Sequence, residues 1–284
     1  MLISAKEIIN KSLELLKRDF SLWFFYIVVN FGTAFLWSQL VFNSKVLLFF
    51  ATLGFSSTFV LCFNMVFVLL LTLLNIWIQL ALVRTIHSRL FNQAGGTVKS
   101  QFARSRHLLS HAIGISIVVA LIVSLPLVIG TVGLSVTGFE SLFLGNVKGL
   151  SSLLLFFGLL LLYGIFHSIY FSLKYAFSYY LVAIDEKTVG QSLHEGGKLV
   201  SGRMLAILWR LVAPVLLFLL MYVLSNYILV ALATWLRHNW IISLVSGISL
   251  LVSALVAVLS VIATVILFED VKTKSVAEPV VKKV

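Results

Sequence analysis

Tyr163, His167, Tyr170 and Lys174 follow one another at spacings of four, three and four residues, which places them on one face of a helix. Two phenols, an imidazole and an ammonium so arranged can line a hydrated cavity or bind a polar headgroup. His167 would then be a donor whose charge responds to pH. The same groups can instead bond neighbouring helices, with Lys174 extending its charged end to the surface. Thr72, Asn75 and Gln79 form a shorter polar face upstream, with Asn64 about three turns away.

Other patterns that could carry chemistry fail on their spacing. His107 and His111 stand four residues apart, a geometry able to hold zinc, but Leu108 occupies the position of the HExxH glutamate. His194 and Glu195 lack a second histidine, and Gly196-Gly197-Lys198 is followed by Leu199 without phosphate-loop spacing. Cys62 is the single cysteine, so neither an intramolecular disulfide nor a cysteine zinc site can form. All ten carboxylates, from Glu7 to Glu278, fall outside the apolar runs. Buried acids are the usual mark of intramembrane proton or metal chemistry, and their absence from the runs predicts a protein that is not an enzyme and needs no metal or cofactor.

The elements that must carry these residues are apolar helices. Of the 284 residues 61% are hydrophobic and 11% charged, and mean hydropathy is +1.10; a soluble domain carries about a quarter charged residues. Runs near Leu22 to Phe42, Thr58 to Val83, Ala112 to Leu134, Ser151 to Tyr175, Leu205 to Thr234 and Ile241 to Phe268 approach or exceed the roughly 20 residues that cross a bilayer. The expected fold is an all-α integral membrane protein with six transmembrane helices. Residues 46–60 then form an apolar loop or re-entrant segment. With six spans, eighteen of the 21 Lys and Arg fall on the side of the termini, and only Lys45, Lys148 and Arg237 on the other. A seventh span would destroy this asymmetry. The positive-inside tendency puts both termini in the cytoplasm of a multi-pass protein of the cell (plasma) membrane, and the mixed-charge stretch before Leu22 reads as retained and not as a removable signal.

A pattern recurs before each odd-numbered span. It starts at Ser4, Thr97 and Thr188, which are 93 and 91 residues apart. Offsets 1, 5, 12 and 16 from each start are apolar in all three copies, and offset 8 carries Ser12, Ser105 and Gly196. A small residue inside an apolar stripe permits close approach of a neighbouring helix. The expected architecture is three helical-hairpin repeats, about 4–87, 97–176 and 188–268, each preceded by an amphipathic cytoplasmic interfacial helix. They form a single membrane domain, 1–268, followed by a disordered cytoplasmic tail, 269–284.

Phe177 to Arg203 reads FSYYLVAIDEKTVGQSLHEGGKLVSGR. An aromatic and apolar stretch leads to the acidic pair Asp185 and Glu186, then Gly190, then an apolar stripe through Leu193 and Leu199. This segment resembles the hallmark of a group of six-pass bacterial membrane proteins that includes the membrane domain of glycerophosphoryl diester phosphodiesterases. His194, Glu195, Gly196 and Gly197 depart from the basic residue and serine usual there. The resemblance implies a fold more than an activity, because the hydrolase of those relatives is a separate barrel domain, which is not expected in these 284 residues.

The net charge of +11 is accounted for by attraction of the charged side to anionic lipid, at about 1 kcal/mol per cation near the surface. Nucleic-acid binding is therefore not expected. Arg104, Arg106, Lys198, Arg203 and Arg210 are the candidate headgroup contacts, and a protein partner on the cytoplasmic face is a further possibility. Ser246, Ser249, Ser253, Ala257, Ser260 and Thr264 make a small-residue face on the sixth span, which favours a packed bundle. The expected function is that of a membrane scaffold or lipid-associated protein. The alternative is a transporter or permease for a small polar or lipid-like substrate, using the polar face of the fourth span.

Overall fold

The computed structural model describes residues 2–40, 52, 56–91, 97–144, 147–236 and 239–281. Among these it contains no strand. Six helices are long and apolar enough to cross a membrane, with spans at Phe20–Ser38, Thr58–Leu90, Val98–Thr137, Ser152–Asp185, Met204–Trp235 and Leu244–Ser275. Each expected apolar run falls on one of them. Large apolar side chains such as Met65, Leu155, Phe166, Leu205 and Ile228 lie on their outer faces, as contact with lipid requires, since in hydrocarbon only the backbone must be satisfied internally. The segment expected as a loop or re-entrant stretch falls largely outside the described residues, apart from Thr52 and 56–60; Ser57–Val60 open the second span.

The chain divides into two compact units, residues 1–109 with 205–284, and 110–204. In the first, α1 (Ala5–Arg18) is followed by α2 (Phe20–Leu40) and α3 (Ser57–Leu90). The first turns of α4 (Val98–Leu144), α8 (Met204–Leu236) and α9 (Asn239–Val281) complete it. Helices α2, α3 and α9 pack on one another, and α1 lies against α9 and α2. Ser4 caps α1 by accepting from the Glu7 amide at 3.2 Å, and the helix buries Ile8, Ser12 and Leu15 while its charged residues stay outside. The core carries hydrogen-bonded aromatics. Trp23 Nε1 donates to the Leu15 carbonyl at 2.9 Å, Tyr26 and Thr85 share a 2.8 Å hydroxyl bond, and Trp77 Nε1 donates to the Phe102 carbonyl at 3.0 Å. The Phe102 ring stacks on Tyr26.

The second unit contains the rest of α4, α5 (Val147–Lys174), α6 (Ser178–Asp185) and α7 (Val189–Val200). Glu186, with φ 55°, closes α6 in the left-handed conformation. The Thr188 amide then donates to the Gln191 side chain at 3.3 Å at the start of α7, and Lys187 pairs with Glu195. The acidic pair and the Gly190 region therefore serve to turn the chain between two short helices. Gly196 faces Ser178, whose hydroxyl a Cβ at Gly196 would strike, so close approach at this position is a property of the fold. Ser12 and Ser105 are fully buried as well, each donating to the carbonyl four residues back at 2.7 Å.

Two expectations need correction. A separate interfacial helix before the third span does not form, because α4 runs unbroken from Val98 to Leu144. After α1 stands Asp19, whose carbonyl accepts from the Leu22 and Trp23 amides as α2 begins. After α7 stands Gly202 at φ +75°. At the matching distance from Thr97 stands Ala112, which propagates a helix. Nor is the 269–284 tail disordered over its described part, since α9 continues to Val281. Asp270 holds it by accepting from the Ile3 amide at 2.8 Å and from Lys274 at 2.6 Å. Glu269 and Asp270 accordingly lie on a membrane-length helix, and Glu269 pairs with His87 of α3 at 3.3 Å.

Candidate functional site

The polar stripe of the fourth span is built on α5, and its surroundings explain its chemistry. Pro126 lies inside α4. A proline has no N–H, so the carbonyl four residues back, that of Ile122, loses its helical donor. His167 supplies the replacement, with Nε2 at 2.9 Å from the Ile122 oxygen. A carbonyl only accepts, so Nε2 carries the proton, and in the neutral ring Nδ1 accepts from the Tyr163 hydroxyl at 3.2 Å. Ser168 donates to the next carbonyl, that of Val123, at 2.6 Å. Two side chains of α5 thus satisfy the backbone around the proline of α4, which is how membrane helices accommodate proline.

Glycines bring the two helices close enough for this. A Cβ built at Gly130 would lie 2.9 Å from the Leu161 backbone, and one at Gly164 would lie 2.9 Å from the Leu127 amide nitrogen. Gly133 similarly faces the Phe157 ring.

The remaining members of the stripe behave differently. Tyr163 and Tyr170 are exposed on the helix surface. Lys174 places its ammonium 5.3 Å above the Phe171 ring, 5.6 Å from Tyr175 and 6.0 Å from Tyr170, a cationic end resting on aromatic faces. The stripe is therefore an inter-helix hydrogen bond, an aromatic edge and a basic end. A cavity of about 390 Å³ lies nearby between α4 and α5. Its walls include Ser116, Val123, Ser172 and Tyr175, and His167 is not among them.

Among the proposed headgroup contacts, Arg104, Arg106 and Lys198 project from exposed helix faces and Arg203 is half-buried. Arg210 is used differently from the expectation. It donates to the Ile3 carbonyl at 2.6 Å, to Ala206 at 2.8 Å and to Leu2 at 3.4 Å, so the guanidinium clasps the N-terminal segment. Asp270 holds the same segment from α9.

Asn75 and Gln79 meet neighbours that periodicity alone could not supply. Together with Asn30 and Thr33 of α2 and Ser253 of α9 they line a cavity of about 440 Å³ in the first unit. The signal available in the sequence was uncharged amides and hydroxyls in the interior of three different apolar runs. Among the described residues no cluster of three His, Cys, Asp or Glu side chains is placed to hold a metal ion.

The fold defines the class: an all-helical protein with six helices long and apolar enough to span a membrane. Within that class the chain matches no family profile, no curated protein and no solved structure.

Proposed function

We propose that the chain is a non-enzymatic membrane scaffold or lipid-associated protein of the plasma membrane, with both termini cytoplasmic. The observation that carries this reading is the engagement of His167, the strongest candidate for chemistry, whose ring nitrogens are both committed to Tyr163 and the Ile122 carbonyl. With its one imidazole spent on holding two helices together, this face leaves only the exposed Tyr163 and Tyr170 and the cation of Lys174 for a solute, so transport along the fourth span is the weaker alternative. The threefold repeat is part of the proposal. Its support is a shared burial pattern: Ile8, Gln101 and Ser192 at offset 4 are all buried, as are Ser12, Ser105 and Gly196 at offset 8. The resemblance of Phe177–Arg203 to the six-pass group adds an architectural reason for the same reading.

Arg104, Arg106 and Lys198 are exposed outside those buried stripes, where anionic headgroups or an acidic partner would meet them. Each cation near a charged surface contributes about 1 kcal/mol, roughly fivefold in occupancy. Protein extracted from vesicles of equal phosphatidylcholine and phosphatidylglycerol is expected to retain mainly phosphatidylglycerol in native mass spectrometry. Replacing Arg104, Arg106 and Lys198 together with Gln should remove that preference. Equal retention of the two lipids by the native chain, or an undiminished preference in the variant, would overturn the reading.

Orientation has its own check. In a Cys62→Ser background, cysteines at Lys99 and Lys198 should resist an impermeant thiol reagent in intact cells, and those at Lys148 and Arg237 should label. The reverse pattern would put the termini outside.

A further inference from the structure

The cavity between α2, α3 and α9 has the chemistry of a binding site. Its volume of about 440 Å³ is within the roughly 300–1,000 Å³ range of small-molecule pockets. At 1.5 Å per residue, Gln79 lies about 15 Å from the level of Arg89, which pairs with Asp19, Asn30 about 16 Å from Asp19, and Ser253 about 24 Å from Glu269. The polar lining therefore sits within the depth of a hydrocarbon layer about 30 Å thick.

Its polar groups are incompletely used. Asn30 donates one bond to the Tyr26 carbonyl at 2.9 Å, and Thr33 donates to the Asn30 carbonyl at 2.9 Å. Among the described residues, Asn75, Gln79 and Ser253 have no hydrogen-bond partner. Asn75 is exposed and Gln79 half-buried along this open groove, and at membrane depth two unpaired carboxamides cost free energy unless something bonds them. A lipid tail would leave them unpaired. An ion would find no countercharge, because no lining residue is ionisable. The complement of amides that both donate and accept, with hydroxyls beside them and the flat Trp37 ring as an apolar wall, is a neutral molecule rich in hydroxyl groups.

We infer that this cavity is a binding site for a neutral polyol of monosaccharide size, held by Asn75, Gln79 and Ser253 against Trp37. The inference goes beyond the lipid-associated reading and does not depend on it. Failure of either leaves the other standing.

The test is equilibrium binding of tritiated D-glucose and mannitol to the full-length chain in a polyoxyethylene detergent, which avoids the sugar headgroups that would compete. Saturable binding of at least one is expected. Asn75→Leu and Gln79→Leu should each weaken it about tenfold, the loss that follows from removing one well-placed hydrogen-bonding group. Ser253→Ala, the smallest change, serves if a leucine variant fails to fold. Three results would overturn the inference: no saturable binding of either polyol by the native chain, binding unchanged in the folded variants, or binding of glucose 6-phosphate as tight as that of glucose.

Discussion

Leucine at Gly130 or Gly164 is expected to lower thermal stability by several degrees, while leucine at Gly158, on the same face-rich stretch of α5, should change little. At the first two positions a Cβ would meet backbone atoms of the facing helix at 2.9 Å, and at Gly158 nothing lies within 4 Å. A side chain tip can swing aside, but a helix backbone can only move as a unit. The added atoms must therefore separate α4 from α5. Overpacking a well-fitted contact costs about 1–3 kcal/mol, and here separation also lengthens the His167 and Ser168 bonds to the Ile122 and Val123 carbonyls. In a membrane the loss is felt fully, because helix association rests on close packing and not on escape from water. Circular dichroism melting of the three variants in one detergent decides the matter. If Gly158→Leu is as damaging as Gly130→Leu, the close-approach account of this hairpin is wrong.

Those glycines mark what a linear reading can and cannot see. Six membrane-length helices were legible because length and hydropathy are properties of consecutive residues. The buried offset shared by Ser12, Ser105 and Gly196 was legible for a related reason, since helical periodicity sets which residues share a face. Gly158 and Gly164 are the same residue six positions apart, yet only one meets a neighbouring backbone, and nothing local distinguishes them. The break before α2 and the continuity of α4 turn on Asp19 against Ala112, a difference visible in the sequence but outweighed there by the shared spacing of the apolar positions. Within the helical course of residues 269–281, Asp270 meets the Ile3 amide across nearly the whole length of the chain, a contact no local pattern announces. Arg210 was legible as a cation near an interface, and only the arrival of Leu2 and Ile3 beside it turns it into a clasp. Asn75 and Gln79 could be assigned to one face, whereas Asn30 and Ser253 join them through packing of α2 and α9.

The stripe on the fourth span shows the same division, and its test carries the second large effect. His167→Leu is expected to destabilise the chain by about 1–2 kcal/mol, the upper range for a bond between membrane helices, because it strands a carbonyl that proline has already deprived of its donor. The effect should depend on that proline. In a Pro126→Ala background the new amide at position 126 can donate to the Ile122 carbonyl, so removing His167 should then cost much less. His167→Gln, which keeps a donor on a similar reach, should fall between the native chain and the leucine variant. The four melting points of the native, single and double variants form a cycle whose interaction energy isolates this bond from the packing of the ring. A coupling near zero, with the leucine penalty identical in both backgrounds, would mean that His167 does not serve the freed carbonyl. The polar face of α5 would then need another purpose, and the case for solute passage beside Tyr163 and Tyr170 would reopen. A large coupling assigns the imidazole to the repair of a proline-broken ladder, where a neutral ring with one donor and one acceptor suits both Ile122 and Tyr163.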